Sequence, residues 1–248
     1  MTGAVGRRVR RWAAVLALAS VATASACSPA VDPSPSEPSG VPADGRTATP
    51  TAAPTPATPR RHRPDRVSIA VAGDIHFEGV LARGLRRPAT ALRPATTALA
   101  AADLAIANLE TSVGAGGRPE PGKRFTFSAG PAAFAALAAA GIDVASMANN
   151  HALDFGRARL RSTLRAAGAA RPALSVVGIG ADEDAAFAPA VADLGGTLVA
   201  TLAASVADQD PTADPTGAWA AGPDRAGVAD AIDPRRLLAE VRRADASA

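Results

Sequence analysis

The chain has 248 residues and carries 26 lysines and arginines against 23 aspartates and glutamates. Four of the arginines lie within the first 11 residues, so the rest of the chain has 22 basic and 23 acidic residues. This near-neutral balance excludes a strongly basic protein, and we expect no nucleic acid among its partners.

The N-terminus has the pattern of a bacterial export signal. The arginines precede an apolar run at residues 13–26, which is shorter than the about 20 residues needed to span a membrane. Residues 24–27, Ala-Ser-Ala-Cys, resemble a lipobox, in which the cysteine thiol is acylated. Because Cys27 is the only cysteine, it has no partner for a disulfide. We predict a signal peptide at residues 1–26 and a lipid anchor on Cys27 that holds the protein on the outer side of the cell membrane. Cleavage without acylation, giving a secreted protein, is the alternative.

Residues 27–65 are rich in proline, serine, threonine and alanine and contain few large apolar residues. Such a segment cannot bury enough surface to fold, so we predict a disordered tether that reaches at most about 120 Å. His62 lies here and is not considered a ligand.

Residues 66–248 predict one α/β domain, because short apolar runs alternate with segments of helical spacing. Runs that are apolar on both faces indicate a layered sandwich with a largely parallel sheet. The predicted strands are 67–73, 103–108, 142–148, 174–180 and the pair 188–196 and 197–205. The predicted helices are 79–87, 91–102, 131–141, 156–168 and 233–248.

Polar residues follow three of these strands directly. They form the clusters Gly73-Asp74-Ile75-His76, Asn108-Leu109-Glu110 and Ala148-Asn149-Asn150-His151. The carboxyl ends of parallel strands meet at one edge of a sheet, so we expect the three clusters to converge. Their carboxylates, imidazoles and amides are ligands of divalent metals, and an Asp-x-His pair in an extended segment points to one side.

Each cluster taken alone has a simpler interpretation. Gly-Asp is typical of a turn, Glu110 of a solvated loop, and Asn149 or Asn150 of the N-cap of a helix that begins near His151 or Asp154. Both histidines of residues 66–248 nevertheless lie in these clusters. Their combination favours a shared metal site.

The motifs resemble the CapA family of poly-γ-glutamate capsule biosynthesis proteins, within the calcineurin-like metallophosphatase superfamily. The resemblance rests on VSIAVAGDIHFEG, ADLAIANLETSV, KRFTFSAGP, AGIDVASMANNHALDFG and LSVVGIGADEDAAFAPAV. It implies that a divalent metal (manganese, iron or zinc) is held by Asp74, His76, Glu110 and Asn150. It also implies that His151 is catalytic and faces the phosphate or the leaving oxygen.

Members of this family usually continue into a strand that ends in His-Trp-Gly and then a Gly-His-x-x-His segment, which the sequence as given does not contain. We therefore expect an incomplete second half of the fold, with a sheet edge and an apolar helix face uncovered. We also expect too few ligands for two metals.

The resemblance implies a membrane-anchored protein of capsule or envelope-polymer synthesis, with metal-dependent hydrolysis of a phosphoester-type bond. Its expected partners are the membrane and an anionic polymer or phosphoester. A non-catalytic envelope binding or scaffold module is the alternative, and a soluble nucleotidase is a third interpretation. Trp219 and the basic residues Arg118, Lys123 and Arg124 are interpreted as surface residues, with substrate contact as the alternative.

Overall fold

The computed structural model describes residues 12–16, 66–93, 95–206 and 217–246. All of them belong to one compact unit. Cys27, the tether predicted at residues 27–65 and most of the predicted signal peptide lie outside these residues.

The described residues form the following strands and α-helices in chain order: β1 Trp12–Leu16, β2 Ile69–Ile75, α1 Val80–Gly84, β3 Leu104–Leu109, β4 Ser112–Val113, β5 Ser128–Ala129, α2 Ala132–Ala139, β6 Val144–Ser146, α3 Gly156–Ala169, β7 Ser175–Val177, β8 Ile179–Gly180, α4 Glu183–Ala186, β9 Ala190–Asp193, β10 Leu198–Leu202, β11 Gly227–Val228 and α5 Arg235–Ala246. None of the described helices is long and apolar enough to cross a membrane.

The central sheet has four parallel strands in the order β2-β3-β6-β7. Five of the six residues of β3 are buried. Leu104 and Ile106 pack in one apolar cluster, whereas Ala105, Ala107 and Leu109 pack in another. The predicted strand that is apolar on both faces, and the layered α/β fold with a parallel sheet, are confirmed.

The cluster that contains Leu104 and Ile106 lies between the central sheet and a second sheet of order β1-β10-β9. β9 and β10 form the predicted pair of strands and are antiparallel. β1, whose residues belong to the predicted signal peptide, pairs with β10 in parallel, from Trp12 opposite Leu198 to Leu16 opposite Leu202. The expected uncovered sheet edge and helix face stay predictions.

Helices α2 and α3 belong to the cluster on the other face of the sheet, which includes Phe134, Leu137 and Leu160. As expected, a proline precedes α2, and Gly141 follows it with a positive φ of 82°. The helix predicted at residues 91–102 is not found. Among the described residues of this stretch, one short 3-10 turn occurs, at Leu99–Ala101, and another, Pro88–Thr90, precedes it. Proline at positions 88 and 94 removes helical donors and explains the difference.

The strand predicted at residues 174–180 is divided at Gly178 between two sheets. β7 pairs with β6 in the central sheet, whereas β8 pairs with β11. Gly178 has a φ of +88°, and a Cβ added there would lie 2.5 Å from the Cβ of Ala148. The close approach of the two chain segments therefore requires glycine at the point where the chain changes sheets.

Candidate metal centre

The first polar cluster lies at the end of β2, where the pairing of β2 with β3 is irregular. The pairing of β2 with β3 shifts between Ala72 and Asp74. Asp74 is exposed, and its Oδ1 accepts a 2.7 Å hydrogen bond from the Asn108 amide of the neighbouring strand. His76 is half-buried, and its Nδ1 accepts a 3.3 Å hydrogen bond from the backbone N–H of Glu78. Thus the ends of β2 and β3 are joined through the Asp74 carboxylate.

Asn149 joins the ends of β3 and β6. Its amide nitrogen donates to the Asn108 side chain and to the Leu109 carbonyl, both at 2.9 Å, and its Oδ1 accepts a 3.0 Å bond from the backbone N–H of His151. The α-helix that we expected near His151 or Asp154 begins only at Gly156. Asn149 therefore caps a turn rather than a helix, and its three bonds fix the geometry of the site.

His151 is buried and belongs to a charged network with Asp154. Its Nδ1 lies 2.6 Å from Asp154, whose carboxylate also accepts a 2.5 Å bond from the backbone N–H of Phe127. The Lys123 ammonium lies 2.5 Å from the same carboxylate and also donates to the Asn150 carbonyl. The side chains of Asp154 and Lys123 are 0% and 2% exposed. A carboxylate so deeply buried holds the imidazole ring in one orientation.

The ring of Phe127 stacks against both histidines of the site. Its centroid lies 4.8 Å from that of His76 and 4.1 Å from that of His151, with interplanar angles of 23° and 12°. Phe127 is therefore in contact with a histidine from the end of β2 and with the histidine that follows β6.

Glu110 connects the three clusters electrostatically. Burial raises the pKa of the Glu110 carboxyl above its ordinary value of 4.5, and the nearby Asp74 carboxylate raises it further. The charges of His151, His76 and Lys123 lower the same pKa. A charge acts appreciably on a carboxyl only at short range. In the geometry, the strand ends are linked by the hydrogen bonds of Asn108 with Asp74 and Asn149, and His151 Nε2 lies 3.8 Å from the Glu110 carboxylate.

The donor types at this site fit a divalent cation. Two neighbouring carboxylates repel each other, and this repulsion raises the cost of ionising Glu110. A cation would relieve it, and the set of Asp, Glu, His and Asn suits manganese, iron or zinc. Within the described residues, no three His, Cys, Asp or Glu side chains are gathered closely enough to form a metal site. Asn150 is half-buried, and its backbone carbonyl accepts a hydrogen bond from Lys123.

A comparison with protein families shows the family to which the chain belongs. The family model described as bacterial capsule synthesis protein PGA_cap matches residues 68–248. The chain belongs to this family. The CapA resemblance of the strand-end motifs is therefore confirmed. No curated protein matches the chain.

Four residues that contact the candidate site residues were given no role from the sequence: Asn108, Lys123, Phe127 and Asp154. The sequence contained an indication of the role of Asp154, because Asp154 follows His151 at the spacing His-x-x-Asp in ANNHALDFG. Lys123 was interpreted as part of a solvated basic loop, which is wrong, since its side chain is 2% exposed and bonded to Asp154. The other two residues of that loop, Arg118 and Arg124, are exposed as expected.

Trp219 was interpreted as a surface residue, and this is also wrong. It is 2% exposed and belongs to the main apolar cluster. The Lys123 ammonium lies over the Trp219 ring, 4.5 Å from the ring centroid. Arg157 donates hydrogen bonds to the backbone carbonyls of Ala218 and Ala226. Trp219 thus makes a cation–π contact with the buried Lys123.

Proposed function

We propose that this capsule synthesis protein hydrolyses a phosphoester-type bond in the synthesis of poly-γ-glutamate or another envelope polymer, with a bound divalent metal. The carrying observation is that the ends of three strands are linked: Asp74 and Asn149 both form hydrogen bonds with Asn108, and His151 Nε2 lies 3.8 Å from the Glu110 carboxylate. Membership of the capsule synthesis family supports the biological role. The proposed metal-dependent hydrolysis rests on the side-chain types at the strand ends and not on the fold.

Four side chains are proposed to hold the metal: Asp74, His76, Glu110 and Asn150. A metal bound there would polarise a phosphoryl oxygen and activate a water molecule for attack. Asn108 and Asn149 orient the ligands, because they link Asp74 to the ends of two other strands. Because their amides are neutral, Asn108 and Asn149 hold the ligands in place without adding negative charge to a site that already has two carboxylates.

His151 is proposed to handle the proton. The Asp154 carboxylate lies 2.6 Å from Nδ1. In the proposed tautomer, Nδ1 carries the ring proton and donates a hydrogen bond to this carboxylate. Nε2 then faces Glu110 and the site, where a neutral imidazole accepts a proton and a charged one donates it to a leaving oxygen. Lys123 balances the charge of Asp154 in the low-dielectric interior.

We also propose that the protein acts outside the cytoplasm, anchored to the membrane through acylated Cys27. The support is the lipobox-like sequence at residues 24–27 after an apolar run. Mass spectrometry of protein purified from its host's membranes would test it. An N-terminal acylated cysteine is the expected result, and an unmodified N-terminus beyond Cys27 would contradict the anchor.

Hydrolysis is tested with a chromogenic phosphodiester and added manganese. We expect turnover that is lost in Asp74→Ala and in Asn150→Ala, since each substitution removes a proposed ligand. Asp245→Ala is the matched control, because Asp245 is an exposed carboxylate on α5. Equal rates in all variants would contradict the site. No turnover with manganese, iron or zinc would contradict hydrolysis and favour the alternative, an envelope binding or scaffold module.

A further inference from the structure

Two chain segments beside the candidate metal centre expose large apolar side chains. Val80 and Leu81 on α1 are 69% and 40% exposed, and Phe125 in the loop between β4 and β5 is 58% exposed. None of the five residues of α1 is buried. Single exposed apolar residues are common on protein surfaces, but a group of three at one place is typical of an interaction surface. We call Val80, Leu81 and Phe125 the apolar rim.

Contacts within the described chain hold the two segments of the apolar rim side by side. The backbone N–H of Ser128 donates a 2.8 Å hydrogen bond to the Glu78 carboxylate, and the ring of Phe127 stacks on that of His76. The first residue of α1 comes two residues after Glu78, and Phe125 comes two residues before Phe127. The apolar rim therefore borders the strand-end clusters.

The segments that carry the apolar rim also carry exposed arginines. Residues 79–102 include four arginines and no aspartate or glutamate. All four are exposed: Arg83, Arg86, Arg87 and Arg93. None of them forms an ion pair with an acidic side chain of the described residues. Arg124 is exposed as well, and its guanidinium carbon lies 4.9 Å from the centroid of the Phe125 ring. The apolar rim thus lies in a positively charged part of a chain whose overall charge is near neutral.

We propose that the apolar rim and its arginines dock on an anionic membrane surface. Segments that lie on membranes combine large apolar side chains, which enter the headgroup region, with arginines that attract anionic headgroups. A small dissolved anion would use the arginines but not three exposed apolar side chains. Docking in this orientation brings the strand-end clusters close to the headgroups, since His76 and Phe127 adjoin the rim.

The choice of a membrane over a protein partner rests on the proposed acyl anchor at Cys27. An anchored domain stays within reach of the membrane, so even a weak surface contact is favoured by its high effective concentration. The docking itself requires neither the anchor nor a metal at the strand ends. It can therefore be tested separately from both.

The test uses protein that carries no acyl group. Cys27→Ser removes the thiol that is proposed to be acylated, and residues 24–26, Ala-Ser-Ala, remain a site for cleavage without acylation. The secreted protein is mixed either with vesicles of phosphatidylglycerol and phosphatidylcholine in equal parts or with vesicles of phosphatidylcholine alone. Co-sedimentation measures the bound fraction. We expect saturable binding to the anionic vesicles that weakens as salt rises, and much weaker binding to the neutral vesicles.

Substitution of all three apolar rim residues by serine is expected to weaken binding to the anionic vesicles by about tenfold or more, because less apolar area enters the headgroup region. Arg83→Glu combined with Arg86→Glu is also expected to weaken it by about tenfold or more, since each arginine near an anionic surface contributes about fivefold. Leu238→Ser and Arg242→Glu are the matched controls, because both residues are exposed on α5, and they should bind like the parent protein.

Equal affinity of the rim variants and the parent protein would overturn the proposal, as would the absence of binding to anionic vesicles at low salt. Equal binding to the neutral vesicles would overturn the role of the arginines. A dimer in the absence of vesicles that dissociates on Phe125→Ser, measured by analytical ultracentrifugation, would assign the rim to a second copy of the chain instead. Asp74→Ala should bind vesicles like the parent protein, so a failure of the proposed hydrolysis would leave this result unchanged.

Discussion

Asp154 joins most of the buried charges of the site. Its carboxylate contacts the His151 ring, the Lys123 ammonium and the backbone N–H of Phe127, and its side chain is fully buried. A buried carboxylate is stable only when its lone pairs are satisfied in this way. Removing it would leave Lys123 as a buried cation without its counter-charge.

Asp154→Ala is expected to destabilise the protein by about 3 kcal/mol, because breaking a buried ion pair leaves the remaining charge uncompensated. Urea unfolding followed by circular dichroism measures the free energy of unfolding. Asp245→Ala, at an exposed position on α5, should change this free energy by less than about 0.5 kcal/mol. A loss in Asp154→Ala no larger than that of Asp245→Ala would show that the buried pair contributes nothing.

At the residue scale, the sequence predicted Asp74, His76, Glu110, Asn150 and His151 as one group, because each follows a strand closely. It placed Asn108 in one of the clusters but gave it no role, and it gave Lys123 no place in the site. Asn108 acts from inside the last residues of β3, and Lys123 comes from a loop that is 31 residues away from Asp154 in the sequence. Such partners depend on the path of a loop, which has no periodic signal in the sequence.

The change of sheet between β7 and β8 depends on Gly178. Alanine there would adopt an unfavourable φ of +88°, and its Cβ would meet the backbone N of Ala148 at 2.7 Å. We expect Gly178→Ala to destabilise the protein by more than about 2 kcal/mol, as strained backbone and overpacking together do. The measurement is the midpoint of thermal unfolding.

Gly168→Ala is the matched control for this substitution. Gly168 is an exposed residue of α3, with open space around the position of a Cβ. Since alanine has the higher helix propensity, Gly168→Ala should stabilise the protein by about 0.5 to 1 kcal/mol. Opposite shifts in the two variants are the expected result, and a stabilising Gly178→Ala would contradict the close packing at the change of sheet.

Asp230 follows β11 and forms a backbone bridge with Ser205. Burial raises the pKa of its carboxyl above the ordinary value of 3.8, and a backbone hydrogen bond from Ile232 partly opposes this. A raised pKa in the folded state means that the folded protein holds the proton more tightly than the unfolded chain. Stability is therefore lost as the pH rises from below 3.8 through the higher pKa of the folded state.

Asp230→Asn is expected to remove this loss, since the amide stays neutral and keeps an oxygen for Ile232. The variant should exceed the wild type in unfolding free energy at pH 7, by less than about 1 kcal/mol because the group is partly exposed. The gain should shrink as the pH falls towards 3.8. Unfolding curves at several pH values measure it, and a gain that is independent of pH would contradict the titration of Asp230.

At the element scale, strong apolar runs predicted the strands well. β2, β3 and β6 lie within two residues of their predicted starts, since a buried strand needs a continuous apolar segment. The helix predicted at residues 91–102 was wrong, because the proline at position 94 lacks a backbone N–H and disrupts a helix despite the alanines around it. The division of residues 174–180 was not predicted, since it depends on the contact between Gly178 and Ala148, which are distant in sequence.

At the scale of the whole molecule, the parallel order β2-β3-β6 explains why the site exists. Parallel strands bring their carboxyl ends to one edge, so three short sequence clusters come together without any loop between them being specified. The place of the candidate site is therefore a prediction that follows from topology alone. The positions of Phe127 and Lys123 required the structure, because both residues come from the long loop between β4 and β5.

The central claim is that the ends of these three strands form one metal-binding site. The most direct test is calorimetric titration of the metal-free protein with manganese, comparing the wild type with Asp74→Asn and with the control Asp245→Asn. We predict saturable binding in the wild type and the control, and an affinity at least about tenfold lower in Asp74→Asn, as expected when a ligand loses its charge. Equal affinities in all three proteins, or no binding in the wild type, would contradict the claim.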